Sequence, residues 1–232
     1  AFRHTGADAK YCKILSADDV LFPDYLQQMV AAAERNPSAG FVGCYQIAGT
    51  RIRWQGFPHP KELIDGRKLC RQMFVNKDTS FGFGTPTSML FRADLVRSSP
   101  NFYPNNFPHA DTSVCYRYLS ECDYAFVYQV LCMERLSPDS ATPRAARMRE
   151  EYLCTIGDLT EYGRKYFNAA EYQQVLDDLL TRYHKTLVAD LMAFKGKDYL
   201  ELHKKRMAAL GLPQKKTSLA KMAAIRVLEE AT

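Results

Sequence analysis

No two of the seven cysteines in this 232-residue chain form a Cys-x-x-Cys pair, so the spacing of a zinc ribbon or finger is missing. Cys12, Cys44, Cys70, Cys115, Cys122, Cys132 and Cys154 are odd in number and sit among apolar residues. That pattern reads as reduced core thiols in a reducing compartment, not a disulfide framework. Long apolar runs are also missing. The longest, Tyr124 to Met133, is too short to cross a bilayer as a helix and suits a buried strand. There is no internal repeat and no low-complexity segment, which removes solenoids and linkers from consideration, and no signal peptide is read ahead of Ala1. A cytoplasmic protein is the expectation.

What is present is ordinary for a globular chain: 47% hydrophobic and 25% charged residues, enough for one substantial core, or one domain with an appendage. The net charge of +5 is unevenly placed. Lys195, Lys197, Lys204, Lys205, Arg206, Lys215, Lys216, Lys221 and Arg226 crowd the last part of the chain. Such a tail serves an anionic membrane surface, or is simply a solvated helix face, because the charges interleave with a helical apolar pattern. Aromatics do not cluster with these cations, so nucleic acid is not an expected partner.

Tyr11 to Leu15 reads as a short strand that runs straight into Asp18-Asp19. Pro23-Asp24 opens a helix with Leu26, Met29, Val30 and Ala33 on one face, stopped by Asn36-Pro37. Phe41 to Ile47 is a second strand, Arg51 to Lys68 a long irregular excursion, and Thr79 to Pro86 a glycine-rich loop that feeds a strand from Thr87 to Arg92. Ser98 to Pro108 is another loop. Asp111 opens a helix faced by Val114, Cys115, Tyr118 and Cys122, and Asp123 to Met133 is a strand. Ser137 to Arg144 is a proline-punctuated linker, and nearly everything beyond it is helical, including stripes at Met148, Tyr152, Ile156 and Leu159 and at Val175 to Leu191. Shorter helices are expected around Tyr199–Leu210 and Leu219–Leu228. The expected organisation is an α/β domain over residues 1–136 and a helical region over 137–232.

Two adjacent aspartates directly after a buried strand admit two readings. They can form a turn and helix cap, which favour Asp. They can also hold a hard divalent ion at a strand end, where open α/β sheets bind ligands, with the ion bridging phosphate oxygens.

The segment Tyr11-Cys-Lys-Ile-Leu-Ser-Ala-Asp18-Asp19-Val-Leu-Phe-Pro23-Asp-Tyr-Leu26 resembles the metal-site motif of family-2 glycosyltransferases of GT-A fold, often written D-A-D-D. Further on, Gly82-Phe-Gly84-Thr85-Pro86-Thr87-Ser-Met-Leu90-Phe-Arg92 is similar to their glycine-bearing active-site loop and strand. His109-Ala-Asp111 is similar to their acidic base motif, and Arg135-Leu-Ser-Pro-Asp-Ser140-Ala-Thr142 resembles their R-x-H-x-x-S-x-T segment. The four stand in the family's order over residues 10–142. The resemblance implies a partial GT-A (Rossmann-like) mixed sheet with flanking helices, followed by an all-helical C-terminal appendage.

It also implies inverting sugar transfer from a nucleoside-diphosphate-sugar donor to a glycan or lipid-linked acceptor, as in surface polysaccharide synthesis. The other outcome is a degenerate homologue that binds a glycan or protein without catalysis. By this resemblance Asp18 and Asp19 hold Mn2+ or Mg2+, and Asp111 is the general base. Gly84, Thr85, Pro86, Thr87, His109 and Trp54 would line the substrate site. Trp54, the single tryptophan, either stacks on a sugar or anchors its loop. Asp111 can equally cap its helix, whose N-terminus would lower its pKa. Ser16 stands where the family has its first acid and Ser137 where it has histidine. The family's opening strand–proline–turn, which begins its nucleotide-binding half, has no counterpart before Tyr11, so the chain reads as a piece of something longer, and a cytoplasmic one whose basic tail faces a membrane.

Overall fold

A computed structural model describes residues 4–75, 82–103, 109–136, 145–193 and 196–212. Expectations for Ser137, Ser140, Thr142, the linker 137–144 and the helix at 219–228 lie outside these residues. The chain divides into two units, Ala1–Ser140 and Ala141–Thr232.

The first unit is built on a seven-stranded mixed sheet. Its strands are β1 (Tyr11–Lys13), β2 (Val20–Leu21), β3 (Ala39–Ala48), β4 (Arg51–Arg53), β5 (Leu63–Ile64), β6 (Met89–Arg92) and β7 (Asp123–Glu134). The order is β1-β6-β3-β7-β2, with β4 on β3 and β5 on β7. Among the described residues only β3 and β7 pair in parallel. These two strands are the chain's most continuous apolar runs, which suits central strands buried on both faces.

Helix α1 (Tyr25–Arg35) covers one face. Tyr25, Met29, Ala32 and Ala33 pack there on Val42, Cys44, Leu90, Ala125 and Cys132. The buried face is therefore rotated from the expected one: Leu26 is 54% exposed, and Tyr25 goes inward because its hydroxyl meets Lys13 beneath the helix. The opposite face is aromatic. Phe41 lies edge-on to Phe91 at 5.7 Å, Phe57 stacks on Phe126 at 4.3 Å, and Phe74 of α2 (Gly66–Val75) stacks on Tyr116 of α4 (Ala110–Tyr118) at 4.1 Å. Such ring pairs add roughly 0.5–1.5 kcal/mol each beyond the area they bury. Gly43 makes room for Tyr124, since a Cβ there would fall 2.0 Å from its hydroxyl. That hydroxyl donates to the Phe83 carbonyl.

The excursion from Arg51 to Lys68 is more ordered than expected. It holds β4 as the return of a hairpin, β5 against the start of β7, and the first turn of α2. A short helix α3 (Ala93–Arg97) follows β6, and Cys122 lies beyond the end of α4 rather than on it.

The second unit is helical: α5 (Glu150–Tyr162), a 3-10 turn at Gly163–Lys165, α6 (Ala169–Met192) and α7 (Lys197–Ala209). Asn168 and Glu171 form a reciprocal capping box that starts α6. Leu176, Leu179, Tyr183 and Leu187 bury one stripe of that helix, which agrees with its heptad-like spacing. Buried His203 bridges the Tyr183 hydroxyl (3.0 Å) and the Met148 carbonyl (2.8 Å). Among the described residues no helix is long and apolar enough to cross a membrane.

Candidate active site

The carboxyl ends of the parallel pair β3 and β7 lie side by side, with Ala48 opposite Glu134 and Gln46 opposite Cys132. Ligands of open α/β sheets gather at such ends. Asp18 and Asp19 arrive there in the turn between β1 and β2, closed by Asp19 N–H donating to Ser16 O at 3.1 Å. Neither caps α1, whose N-cap is Asp24. Asp18 is exposed and Asp19 half-buried. Asp19 is braced from two sides: Oδ1 accepts from the Arg135 amide at 3.0 Å, and Oδ2 accepts from the Thr87 hydroxyl.

Thr87 sits in a tight turn. Ser88 N–H donates to Thr85 O at 3.0 Å with Pro86 at the second position, and Thr85 N–H donates to Ser88 Oγ at 2.8 Å. Gly84 leads in with φ +126°, and a Cβ there would lie 2.7 Å from Ser88 Oγ. Only glycine adopts this backbone without strain.

Gln46, fully buried, ties the next layer together. Its Oε1 accepts from Trp54 Nε1 and from Thr85 Oγ1, both at 3.0 Å, and its Nε2 donates to Glu134 Oε2 at 3.3 Å. Arg53 of β4 pairs with the same Glu134 oxygen at 3.5 Å. Trp54 is half-buried, and its ring lies so close to Gly82 that a Cβ there would be 2.2 Å from Cζ3.

Asp111 stands in the first turn of α4. The N-cap is His109, one residue before the helix, and Asp111 Oδ1 accepts the Thr112 amide at 2.9 Å. The helix N-terminus was expected to pull its pKa down. Burial wins instead and pushes the carboxyl up, against the Thr112 amide and His109. Glu134 is also pushed up, first by burial and then by the charges of Asp19, Asp18 and Asp111, with Arg53 opposing. Glu134 therefore lies within the fields of Asp18, Asp19 and Asp111.

Glu134, Gln46 and Lys13 were not among the residues singled out in the sequence. Two signals were there to find: a glutamate ending a buried strand just before Arg135, and a lone lysine inside an apolar one. Arg92 forms an ion pair with Asp94 at 2.7 Å.

Among the described residues no three His, Cys, Asp or Glu side chains form a ready-made metal cage. The donor set still suits a hard ion completed by ligand oxygens: Asp18 is exposed, and each Asp19 oxygen takes one hydrogen bond, which leaves a lone pair on each.

No family model matches the chain. No curated protein matches it. Among solved structures it is similar to S. aureus TarS 1-349 in complex with UDP-GlcNAc, with a TM-score of 0.53 at 13% identity over 88% of this chain and 57% of that one. At that identity the likeness is one of fold. The mixed sheet with flanking helices and helices after it is a partial GT-A, Rossmann-like fold. The chain spans 57% of the length of the TarS chain.

Proposed function

We propose that this chain supplies the metal and acceptor side of a family-2, inverting glycosyltransferase that moves a sugar from a nucleoside-diphosphate donor to a glycan or lipid-linked acceptor. The observation that carries the reading is that Asp18, Asp19 and Asp111 all act on Glu134, which ends β7 beside the carboxyl end of β3. TarS, a fold neighbour, was crystallised with UDP-GlcNAc, and a nucleotide sugar is the donor class assigned here. No residue of this chain is assigned to the nucleoside.

Asp18 and Asp19 would hold Mg2+ or Mn2+, which neutralises charge on a leaving diphosphate. Asp111 takes the acceptor's proton. Its raised pKa makes it a stronger base than an exposed aspartate. Arg53 and Gln46 hold Glu134 so that it closes the acidic end. Gly84, Thr85, Pro86 and Thr87 form the loop beside the metal carboxylates, with Trp54 behind Thr85 through Gln46. His109 opens the helix that carries the base. Exposed Lys197 and Lys205 on α7 belong to a basic surface for peripheral contact with an anionic membrane. Unchanged partitioning onto anionic vesicles after deletion of residues 195–232 would remove that last element.

The test is release of nucleoside diphosphate from a panel of nucleotide sugars by the full-length protein, with and without Mn2+. Metal-dependent release, lost in Asp19→Asn, is expected. The bracing of both Asp19 oxygens favours a second reading, a non-catalytic glycan- or protein-binding module in which Asp19 only ties strands together. That reading is right if no donor is turned over with any metal while glycan binding persists.

A further inference from the structure

Lys13 has no part in the chemistry above, yet its ammonium is largely buried, and a buried ammonium is costly unless it is fully hydrogen-bonded. An aliphatic side chain would fill the same place in β1 without that cost. Its Nζ donates to the carbonyls of Pro86 (2.9 Å), Thr87 and Met89 (3.1 Å), and to the Tyr25 hydroxyl (2.7 Å). The ammonium also lies 4.3 Å from the centre of the Tyr25 ring. Three of the four acceptors thus come from one stretch of backbone, Pro86 to Met89. The middle of that stretch is Thr87, whose hydroxyl donates to Asp19.

We propose that Lys13 is the positioning residue of Asp19: its ammonium clasps the Pro86–Met89 backbone and so holds the Thr87 hydroxyl against the Asp19 carboxylate. The connection runs through hydrogen bonds alone, from Lys13 to three carbonyls, along the chain to the Thr87 side chain, and on to Asp19. It explains why a cation lies in an apolar strand. It also explains why Tyr25, and not Leu26, is the residue of α1 that turns inward. What Asp19 then does rests on the function proposed above; the clasp itself does not.

The test has two readouts. Hydrogen exchange at the Thr85 and Ser88 amides, which close the turn, reports whether the clasp orders it. Exchange at both is expected to quicken in Lys13→Met and to stay near wild type in Thr87→Val, which removes only the hydroxyl. Lys13→Gln takes its place if Lys13→Met does not fold. The second readout is the Mn2+ concentration needed for half-maximal nucleoside diphosphate release from nucleotide sugars. It should rise about tenfold or more in each single variant, as it does when a group supporting a metal ligand is lost. The double variant should be no worse than either single, because the two act in series.

Unchanged exchange in the lysine variants overturns the clasp, whatever the activity. So does an additive double variant. Quickened exchange in a protein that releases no diphosphate with any metal leaves the clasp standing and removes the proposed function. Metal-dependent release with unchanged exchange does the reverse.

Discussion

Trp54 donates its indole N–H to Gln46 Oε1 at 3.0 Å, from a residue whose own backbone is left-handed, at φ 69°. A tryptophan with positive φ is uncommon. The strain persists because three neighbours converge on Gln46: the indole, the Thr85 hydroxyl and Glu134. The buried amide is the point where hairpin, loop and acidic end are joined.

Gln46→Leu should therefore take away the acceptor of the indole N–H and of the Thr85 hydroxyl, and leave Glu134 to Arg53. A loss of about 1–3 kcal/mol is expected, the cost of leaving buried polar groups unsatisfied, measured by chemical denaturation. Because the chain has a single tryptophan, its fluorescence reports the tether directly. The emission should move to the red as the ring loosens from Gly82. An unchanged emission maximum would show that packing on Gly82 alone places Trp54.

Gly84→Ala should cost roughly 1–3 kcal/mol, the usual penalty for a side chain forced into a sparsely populated backbone region. The added methyl would also meet Ser88 Oγ at 2.7 Å and Met89 Cγ at 2.8 Å. Ser88 closes the turn that presents Thr87, so activity should fall further than stability alone explains. Gly84→Ala with the wild-type denaturation midpoint would mean that the turn relaxes without strain.

How much of this was legible in the sequence follows from what each residue reports locally. The main strands were visible because Phe41–Ile47 and Asp123–Met133 are runs of apolar and aromatic residues, and Asp18, Asp19 and Asp111 stand in motifs with recognisable flanks. Helix α2 was hidden: its apolar spacing, Leu69, Cys70 and Phe74, follows two prolines and opens on Gly66, which reads as loop. That glycine is needed because a Cβ there would lie 2.1 Å from the Cys122 carbonyl oxygen, a tertiary contact no local pattern announces. Gln46 and Glu134 were missed for a related reason. Each sits at the end of a buried strand, and its role comes from the neighbouring strand it meets. The face of α1 was misjudged by one position because Tyr25 counts as polar until Lys13 is placed beneath it.

Asp111→Asn should separate activity from stability. Burial raises the Asp111 pKa, so the folded protein holds that proton more tightly than the unfolded chain does. The stability contributed by this group is full below the unfolded pKa and is lost as pH rises through the folded one. At neutral pH the charge is a burden, and asparagine removes it. The variant should unfold at a higher denaturant concentration than wild type at pH 7, with the difference shrinking on acidification. Transfer should drop by about 10²–10⁴-fold, the range for loss of a general base. Near wild-type transfer in Asp111→Asn would remove the residue from the chemistry.

Lys13 should give opposite pH trends for stability and activity. Burial is the largest influence on it and pushes its pKa from 10.5 down to about 7, against the pull of Cys132, Cys44 and Asp19. Tyr25 of α1 is the other titratable group that faces it. Between about 7 and the unfolded value, the unfolded chain binds more protons than the folded one. Stability relative to Lys13→Met should therefore rise with pH across that window and be lost again as pH falls through about 7. Activity should move the other way. The ammonium has three N–H donors to share among its four oxygen acceptors, and the neutral amine has two. As pH climbs past about 7 the turn loses a bond and the Mn2+ requirement should increase. Denaturation midpoints and metal titrations of wild type and Lys13→Met, taken in steps across the window, read both trends. A stability difference that stays flat would place the titration elsewhere and leave the ammonium charged throughout, held by its four oxygen acceptors.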